Sequence, residues 1–239
     1  METDPISSDR ILTKNIAVEI RLAFVRKVYA ILTCQLLLTA AIAAPIAAAG
    51  PAWVQGHQWF MWVGLAIYLV CSCAAICCRQ TMRTFPWNYT ILGVLTIGMS
   101  IMVGFISAMY TWQSVVLAAG VTSLIFLCLT IFAWKTSTDF TGFGPYLFAF
   151  AMTLLVFGLV ISILSMCGIR VEWMIIAYDV LGVLLFSCYI VFDTQMILGE
   201  WGGHKMQFLI DDYCMAALQL YLDIINLFLL LLELFGRRR

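Results

Sequence analysis

Four carboxylate side chains interrupt long apolar runs in the second half of the chain. They are Asp179, Asp193, Asp223 and Glu233. A charge inside a membrane-spanning segment is costly, so such residues are candidates for function by default. Glu233 lies one helical turn before the basic C-terminal residues, and an ion pair at the membrane interface explains it. Asp179 lies early in the sixth apolar run, near Glu172, and is expected to reach the non-cytosolic interface of the membrane.

Asp193 and Asp223 are harder to explain as interfacial charges, because neither has a basic residue within one helical turn. In helical projection, Asp193 shares a face of the sixth apolar run with Asp179, Gly182, Phe186 and Tyr189. Asp223 shares a face of the seventh run with Asp212, Gln219 and Asn226. Because lipid excludes polar side chains, these two polar stripes are expected to face each other.

Two carboxylates that are held close together cannot both ionise cheaply, so they share a proton. Such a pair responds to pH, and it also attracts a hard cation such as Ca²⁺. The structural alternative is a hydrogen-bonded pair that only holds two helices together. From the residues alone, both interpretations stay open.

The elements that position these residues are long apolar segments. Of the 239 residues, 64% are hydrophobic and only 11% are charged, whereas about a quarter are charged in a soluble domain. A bilayer span needs about 20 mostly apolar residues. Seven runs reach or approach that length: 28–49, 59–78, 89–110, 115–134, 146–167, 173–198 and 213–235. The sequence therefore predicts an all-α integral membrane protein with the lipid bilayer as its solvent.

The distribution of basic residues predicts the orientation of these spans, since cytosolic loops are enriched in Lys and Arg. The N-terminal segment and the second, fourth and sixth connections hold most of them, which predicts a cytosolic N-terminus. Seven full crossings would place residues 237–239, three arginines, on the far side. A re-entrant seventh segment would return them to the cytosol, and the sequence leaves both possibilities open.

We divide the chain into a short polar cytosolic segment (1–24), a seven-helix transmembrane domain (25–236) and a basic tail (237–239). The net charge of zero gives no reason to expect nucleic acid as a partner. The nine cysteines lie mostly within apolar runs and are interpreted as small hydrophobic residues, although Cys77 and Cys78 are possible palmitoylation sites. His57 and His204 are interpreted as solvated surface residues.

Several motifs resemble the lifeguard branch of the Bax-inhibitor-1-like (transmembrane BAX inhibitor motif) family. They include RLAFVRKVYAILTCQLLLT, RTFPWNYTILGVLT, IMVGFISAMY and KTSTDFTGFG. The two most specific are YDVLGVLLFSCYIVFDTQMILG and DDYCMAALQLYLDIINLFLLLL. The resemblance covers the chain from about residue 19 to its end.

The resemblance implies a seven-helix fold with helix seven central, a Ca²⁺ leak across endoplasmic reticulum or Golgi membranes, and suppression of apoptosis. The family's gating aspartates match Asp193 and Asp223, which would also bind Ca²⁺ transiently. An arginine that latches this pair matches Arg79 or the nearby Arg83, and an acidic residue at the mouth of helix seven matches Asp211.

We further assign Asp179, Asp212 and Asn226 to the ion pathway, although Asn226 is better interpreted as a hydrogen-bond anchor within helix seven. Asp179 stands where relatives often have Ser or Ala, and it would add a third acidic position if it faced the pore. The chain lacks the long proline- and glycine-rich N-terminal segment of many lifeguard proteins, so a partner recruited by that segment is in doubt.

Two functions other than a channel can be compared with the sequence. A non-conducting protein that inhibits apoptosis by binding partner membrane proteins is the alternative to a channel. An intramembrane aspartyl protease is disfavoured, because such enzymes use Gly-x-Gly-Asp and Pro-Ala-Leu motifs, and Asp223 follows Leu-Tyr-Leu instead. We therefore expect neither enzymatic activity nor a cofactor, with Ca²⁺ as the transported ion.

Overall fold

Seven long helices form most of the part of the chain that the structure describes. The computed structural model describes residues 5–78, 80–169 and 171–238, with the side chains of residues 5–15 and Ile76 left aside. The helices are α1 (Pro5–Gly56), α2 (Gln58–Cys77), α3 (Trp87–Ser107), α4 (Trp112–Lys135), α5 (Gly144–Met166), α6 (Glu172–Leu198) and α7 (Tyr213–Phe235). The described residues contain no β-strand, so the predicted all-α class is confirmed.

Helix α1 is the longest element and contains a break. Gly50 adopts φ 80° and ψ 176°, a conformation that is open to glycine but strained for other residues. Pro51 follows it, and the chain then continues as a short helical segment to Gly56. The break coincides with the predicted end of the first span. No corresponding break occurs near residue 24, so the polar segment described here is a continuous extension of α1.

The outer surface of the bundle is apolar, as expected for contact with lipid. All seven helices contain a stretch that is long and apolar enough to cross a membrane. Leu124, Leu127 and Ile131 of α4 are half or more exposed, and several tryptophans at helix ends are exposed too: Trp59, Trp87, Trp112, Trp134 and Trp173. Aromatic residues at helix ends are typical of membrane interfaces. The chain is therefore a multi-pass membrane protein.

Helix α7 lies at the centre of the bundle. It packs against α1, α3, α4 and α6, while α2 packs chiefly on α3 and α5 chiefly on α6. The alanines Ala216 and Ala217 are completely buried and allow neighbouring helices to come close. Close approach also depends on Gly98 of α3, where an added Cβ would lie 2.9 Å from the backbone oxygen of Gly64. The central position predicted for helix seven is confirmed.

Successive helices run in alternate directions, so the connections collect at two ends of the bundle. We call the end with residues 80–86, 136–143 and 199–212 the N-terminal face. The other end, with residues 108–111, 167–169 and 236–238, is the C-terminal face. Helix α7 joins the two faces: the Arg237 carbonyl accepts a hydrogen bond of 2.9 Å from the Thr111 amide, at the turn between α3 and α4.

The end of α7 lies at the opposite face of the bundle from its start, which favours a full crossing over a re-entrant seventh segment. A re-entrant segment would return to the N-terminal face, whereas Arg237 also donates its amide to Ser114 Oγ on α4 at 3.0 Å. The side chain of Arg238 reaches Glu233 at 3.4 Å. The described part of the basic tail is thus attached to the C-terminal face, and one of its charges is locally paired.

Candidate functional site

Asp193 and Asp223 meet in the interior of the bundle. Asp193 is 3% exposed on α6 and Asp223 is 7% exposed on α7, and these two helices pack along much of their length. The two carboxyl groups are close enough to interact electrostatically. Tyr189, one turn before Asp193, is close enough to feel the charge of both groups. The structure therefore brings together the two carboxylates that the helical projection placed on facing stripes.

The pair has no basic partner within the part of the chain that the structure describes. The ion pairs found there are Arg83–Asp212, His204–Asp139 and Arg238–Glu233. Asp223 Oδ2 is buried and has no hydrogen-bond partner among the described residues. Two carboxylates in such surroundings repel each other when both are ionised, and a shared proton relieves the repulsion. This arrangement is suited to binding either a proton or a hard cation.

The other predicted polar residues of the α7 stripe, among them Gln219 and Asn226, do not face Asp193. Asn226 donates its Nδ2 to the Leu222 carbonyl of its own helix at 2.8 Å, which agrees with a hydrogen-bond anchor. Gln219 is exposed, because neighbouring helices leave that side of α7 uncovered one turn before Asp223. On α7, the carboxyl group of Asp223 is thus the polar group that faces Asp193.

Arg83 contacts a different carboxylate from the one that the resemblance implied. Its Nε donates to Asp212 Oδ1 at 2.6 Å and its Nη2 donates to Asp212 Oδ2 at 2.9 Å. This two-pronged contact raises the pKa of the Arg83 guanidinium. Asp212 precedes Asp223 by eleven residues, roughly 16 Å along a helix, so Arg83 cannot also reach the pair. The predicted latch of Arg83 on the pair is wrong for this conformation.

The other predicted residues at this end of the molecule lie at the surface or outside the description. Asp211 is exposed on the N-terminal face, next to the Arg83–Asp212 contact, where the mouth of helix seven was predicted. Arg79 lies outside the described residues. The contact between Thr81–Arg83 and Ile210–Asp212 therefore connects the start of α3 with the start of α7.

Asp179 belongs to a separate part of the molecule. It precedes Asp193 by fourteen residues on α6, about 21 Å along the helix. It is 1% exposed and lines a cavity of about 850 Å³ at the C-terminal face. Asp179 therefore does not join the Asp193–Asp223 pair, and its assignment to the ion pathway stays a prediction.

Sequence reasoning missed a buried arginine that organises the N-terminal face. Arg21 is 5% exposed and donates to three backbone carbonyls, those of Met196 at 2.6 Å, Phe208 at 2.7 Å and Leu198 at 3.3 Å. These carbonyls belong to the last turn of α6 and the connection after it. The sequence offered only a charge in a polar segment, so nothing distinguished Arg21 from its exposed neighbours.

The interpretation of His204 as a solvated residue is wrong. His204 is 4% exposed, and its Nδ1 lies 3.8 Å from Asp139 Oδ1. Burial lowers the pKa of His204, which the negative charge of Asp139 partly offsets. Asp139 accepts hydrogen bonds from the Thr141 hydroxyl and amide and from the Lys205 amide, and the Thr141 hydroxyl is the main reason that its pKa is lowered. These contacts of Asp139 hold the connection between α4 and α5 against the connection between α6 and α7.

A second polar group that sequence reasoning missed is a hydrogen-bond ladder linking α1, α3 and α7. Gln35 donates to Thr96 Oγ1 at 3.0 Å, and Ser100 donates to Thr39 Oγ1 at 3.1 Å. The Thr39 hydroxyl is 2.8 Å from the hydroxyl of Tyr221, which stands two residues before Asp223. Hydrogen bonds of this kind fix helices against each other in a membrane. The ladder holds the segment of α7 that carries Asp223.

The remaining candidate residues are possible metal ligands and the cysteines. Among the described residues, no three His, Cys, Asp or Glu side chains cluster closely enough to hold a metal ion. All nine cysteines are free, and Cys77 and Cys78 are exposed at the end of α2. Palmitoylation at these two positions stays a prediction.

Comparison with known proteins gives a consistent set of relatives. The family described as "Inhibitor of apoptosis-promoting Bax1" matches residues 21–239. Protein lifeguard 3 of Homo sapiens is 36% identical over 222 residues, which cover 92% of this chain and 70% of that protein. Protein lifeguard 3 of Mus musculus is 32% identical, covering 92% of this chain and 71% of that protein. Protein LIFEGUARD 4 of Arabidopsis thaliana is 35% identical, covering 91% of this chain and 85% of that protein.

Proposed function

We propose a function from the premise that this chain belongs to the family of inhibitors of apoptosis-promoting Bax1, in its lifeguard branch. It is a multi-pass membrane protein of that family. The proposed activity is a pH-sensitive leak of Ca²⁺ across an intracellular membrane, which lowers store calcium and thereby suppresses apoptosis. The meeting of two buried carboxyl groups, Asp193 and Asp223, is the observation that carries this proposal.

The chemistry of the pair supports conduction of a hard cation. Carboxylate oxygens are the ligands that Ca²⁺ prefers. A buried acidic pair with no basic partner among the described residues offers a passing cation a favourable charge, yet two carboxylates are too few ligands to trap it. A proton competes for the same oxygens, so the pair links conduction to pH.

The proposed orientation follows from the positive-inside rule applied to the two faces. The N-terminal face carries Lys135 and Lys205 in addition to Arg21 and Arg83, so we assign it to the cytosol. The C-terminal face then points into the lumen of the endoplasmic reticulum or Golgi. Arg238 is compatible with that side because Glu233 pairs with it.

We propose that the Arg83–Asp212 ion pair, at the cytosolic end of the bundle, stabilises the closed state. The Arg83–Asp212 contact ties the entrance of α3 to the entrance of α7, the helix that carries Asp223. Asp211 lies beside this contact and would attract cations once it opens. In this proposal Arg83 acts on the pair through the position of α7, and a direct latch is left to Arg79 as the resemblance implies. Asp179 would act at the luminal end of the pathway.

Ca²⁺ flux into liposomes that contain the purified protein tests the proposal. Asp193→Asn and Asp223→Asn should each reduce Ca²⁺ flux and shift its pH dependence, because each removes one carboxylate and its repulsion from the remaining one. Glu19→Gln, which removes an exposed charge on α1, should leave both unchanged. If Asp223→Asn keeps the wild-type flux and pH profile, the gating pair is refuted. Protection against cell death without any flux would favour the non-conducting interaction protein instead.

A further inference from the structure

The C-terminal face contains a cavity that the proposed gate does not use. It has a volume of about 850 Å³ and lies between α5, α6 and the end of α7. Three carboxylates line it, those of Glu172, Asp179 and Glu233, together with the guanidinium of Arg238. Among the lining residues the structure describes, acidic groups therefore outnumber basic groups by three to one.

Asp179 is the feature that distinguishes this cavity from an ordinary acidic surface. Its side chain is 1% exposed, and it lines the cavity from α6. Its Oδ1 is fully buried and has no hydrogen-bond partner in the described part of the chain. An ionised carboxylate that is buried without partners is strongly unfavourable, so the group either holds a proton or pairs with a cation from outside the protein. The cavity provides the space for one.

The basic residue in the cavity does not fulfil that requirement. The Arg238 guanidinium makes its ion pair with Glu233, at 3.4 Å, and lies over the ring of Tyr110, 5.9 Å from its centre. Its backbone is held in a bridge to Tyr110. Arg238 thus compensates Glu233 first and affects Asp179 only through longer-range electrostatics. Glu172 and Asp179 remain to attract a further positive charge.

We propose that this cavity binds a hard multivalent cation such as Ca²⁺, with Asp179 as the innermost ligand and Arg238 as an internal competitor. No three ligating side chains in the described residues are close enough to surround a bare ion. The ion therefore keeps much of its water, and the cavity is many times larger than the roughly 30 Å³ that one water occupies. Few charged ligands and a hydrated ion predict weak affinity.

Weak affinity suits the side of the membrane on which the cavity lies. Under the orientation proposed above, the C-terminal face is luminal, where a weak site is filled only when the store is full. Binding itself does not depend on that orientation or on conduction. Conduction and binding can therefore be tested separately.

Luminescence of Tb³⁺, a hard cation that replaces Ca²⁺ in oxygen sites, tests the proposal on the full-length protein in detergent. Tyr178 lines the cavity and can transfer excitation to a bound Tb³⁺. We expect a saturable signal that Ca²⁺ displaces. Asp179→Asn should weaken Tb³⁺ binding about tenfold or more, because the charge of the ligands sets the affinity of such sites. Tyr178→Phe should reduce the signal with little change in affinity.

Two further variants keep the test decisive if Asp179→Asn fails to fold. Arg238→Gln should strengthen Tb³⁺ binding, since it removes the internal competitor, whereas Glu200→Gln on the N-terminal face should leave it unchanged. Unchanged affinity in Arg238→Gln, or in a folded Asp179→Asn, would overturn the proposal, as would failure of Ca²⁺ to displace Tb³⁺. Absence of Tb³⁺ binding in wild-type protein that conducts Ca²⁺ overturns the site alone. Binding without flux contradicts only the proposed function.

Discussion

At the scale of single residues, charged groups buried in this protein fall into two kinds. The guanidinium of Arg21 donates to three backbone carbonyl oxygens. Asp179 and Asp223 each have a buried oxygen atom with no partner among the described residues. Since unsatisfied buried carboxylates are costly, the first kind serves the fold and the second kind indicates function.

The Arg83–Asp212 contact gives a prediction at this scale. Arg83→Gln and Asp212→Asn should each raise Ca²⁺ flux about two- to fivefold, because an ion pair at a water-exposed surface contributes little more than that. The double variant should match either single variant, since both remove the same contact. Exchanging the charges, with Arg83→Asp and Asp212→Arg together, should restore low flux. Additive effects in the double variant would argue against a single shared contact.

At the scale of elements, the N-terminal face is held by connections rather than by helix packing alone. Arg21 ties α1 to the end of α6, and the His204–Asp139 contact ties the connection after α4 to the connection after α6. Gln195 of α6 adds to this, since it accepts from the Phe140 amide at 2.7 Å and donates to the Thr138 carbonyl at 3.0 Å. All three sets of contacts involve residues at or just after the end of α6, the helix that carries Asp193.

Arg21→Met should destabilise the fold by about 3 kcal/mol, because it leaves buried carbonyl groups without a charged donor. Arg21→Lys should recover only part of the loss, since an ammonium group cannot reach three carbonyls in the geometry of a guanidinium. Thermal unfolding in detergent measures both changes. Arg26→Met, at an exposed position on the same helix, is the matched control and should have little effect. Equal destabilisation by the two Met variants would contradict the role of Arg21.

The burial of His204 predicts a pH dependence of stability. The folded state lowers the pKa of His204 below its ordinary value of 6.5, so the unfolded chain binds the proton more tightly. Its contribution to stability is therefore complete above pH 6.5 and is lost as pH falls from that value toward the folded-state pKa. The lowered pKa of Asp139 acts further down, below its ordinary value of 3.8.

Amide hydrogen exchange of residues 136–143 and 199–205 measures this effect. In the wild-type protein, exchange in these two connections should accelerate as pH is lowered from 7 to 5.5, after correction for the intrinsic rate. His204→Gln should exchange at a rate independent of pH in this window. An identical pH profile in His204→Gln would assign the effect to another group.

At the scale of the whole molecule, the sequence predicted the class of fold, the number of helices and the proximity of Asp193 and Asp223. Hydropathy and helical periodicity are properties of local sequence, so these features were accessible. The contacts of Arg21, Arg83 and His204 could not be predicted in this way. The partners of Arg21 and Arg83 lie 129 or more residues away in the sequence, and the partner of His204 lies in a separate connection. The distance between Asp179 and the pair was implicit in the spacing along α6, yet the cavity that receives Asp179 requires α5 and α7 as well.

The course of α7 gives the last prediction. Because α7 runs from the Arg83 contact on one face to Thr111 on the other, an epitope tag added after residue 239 should lie on the opposite side of the membrane from a tag added before residue 1. Selective permeabilisation of the plasma membrane, followed by antibody labelling, distinguishes the two. The N-terminal tag should be labelled from the cytosol and the C-terminal tag only after the internal membrane is opened. Labelling of both tags from the cytosol would mean that α7 does not cross the bilayer in the cell, and the luminal position of Asp179 would be lost with it.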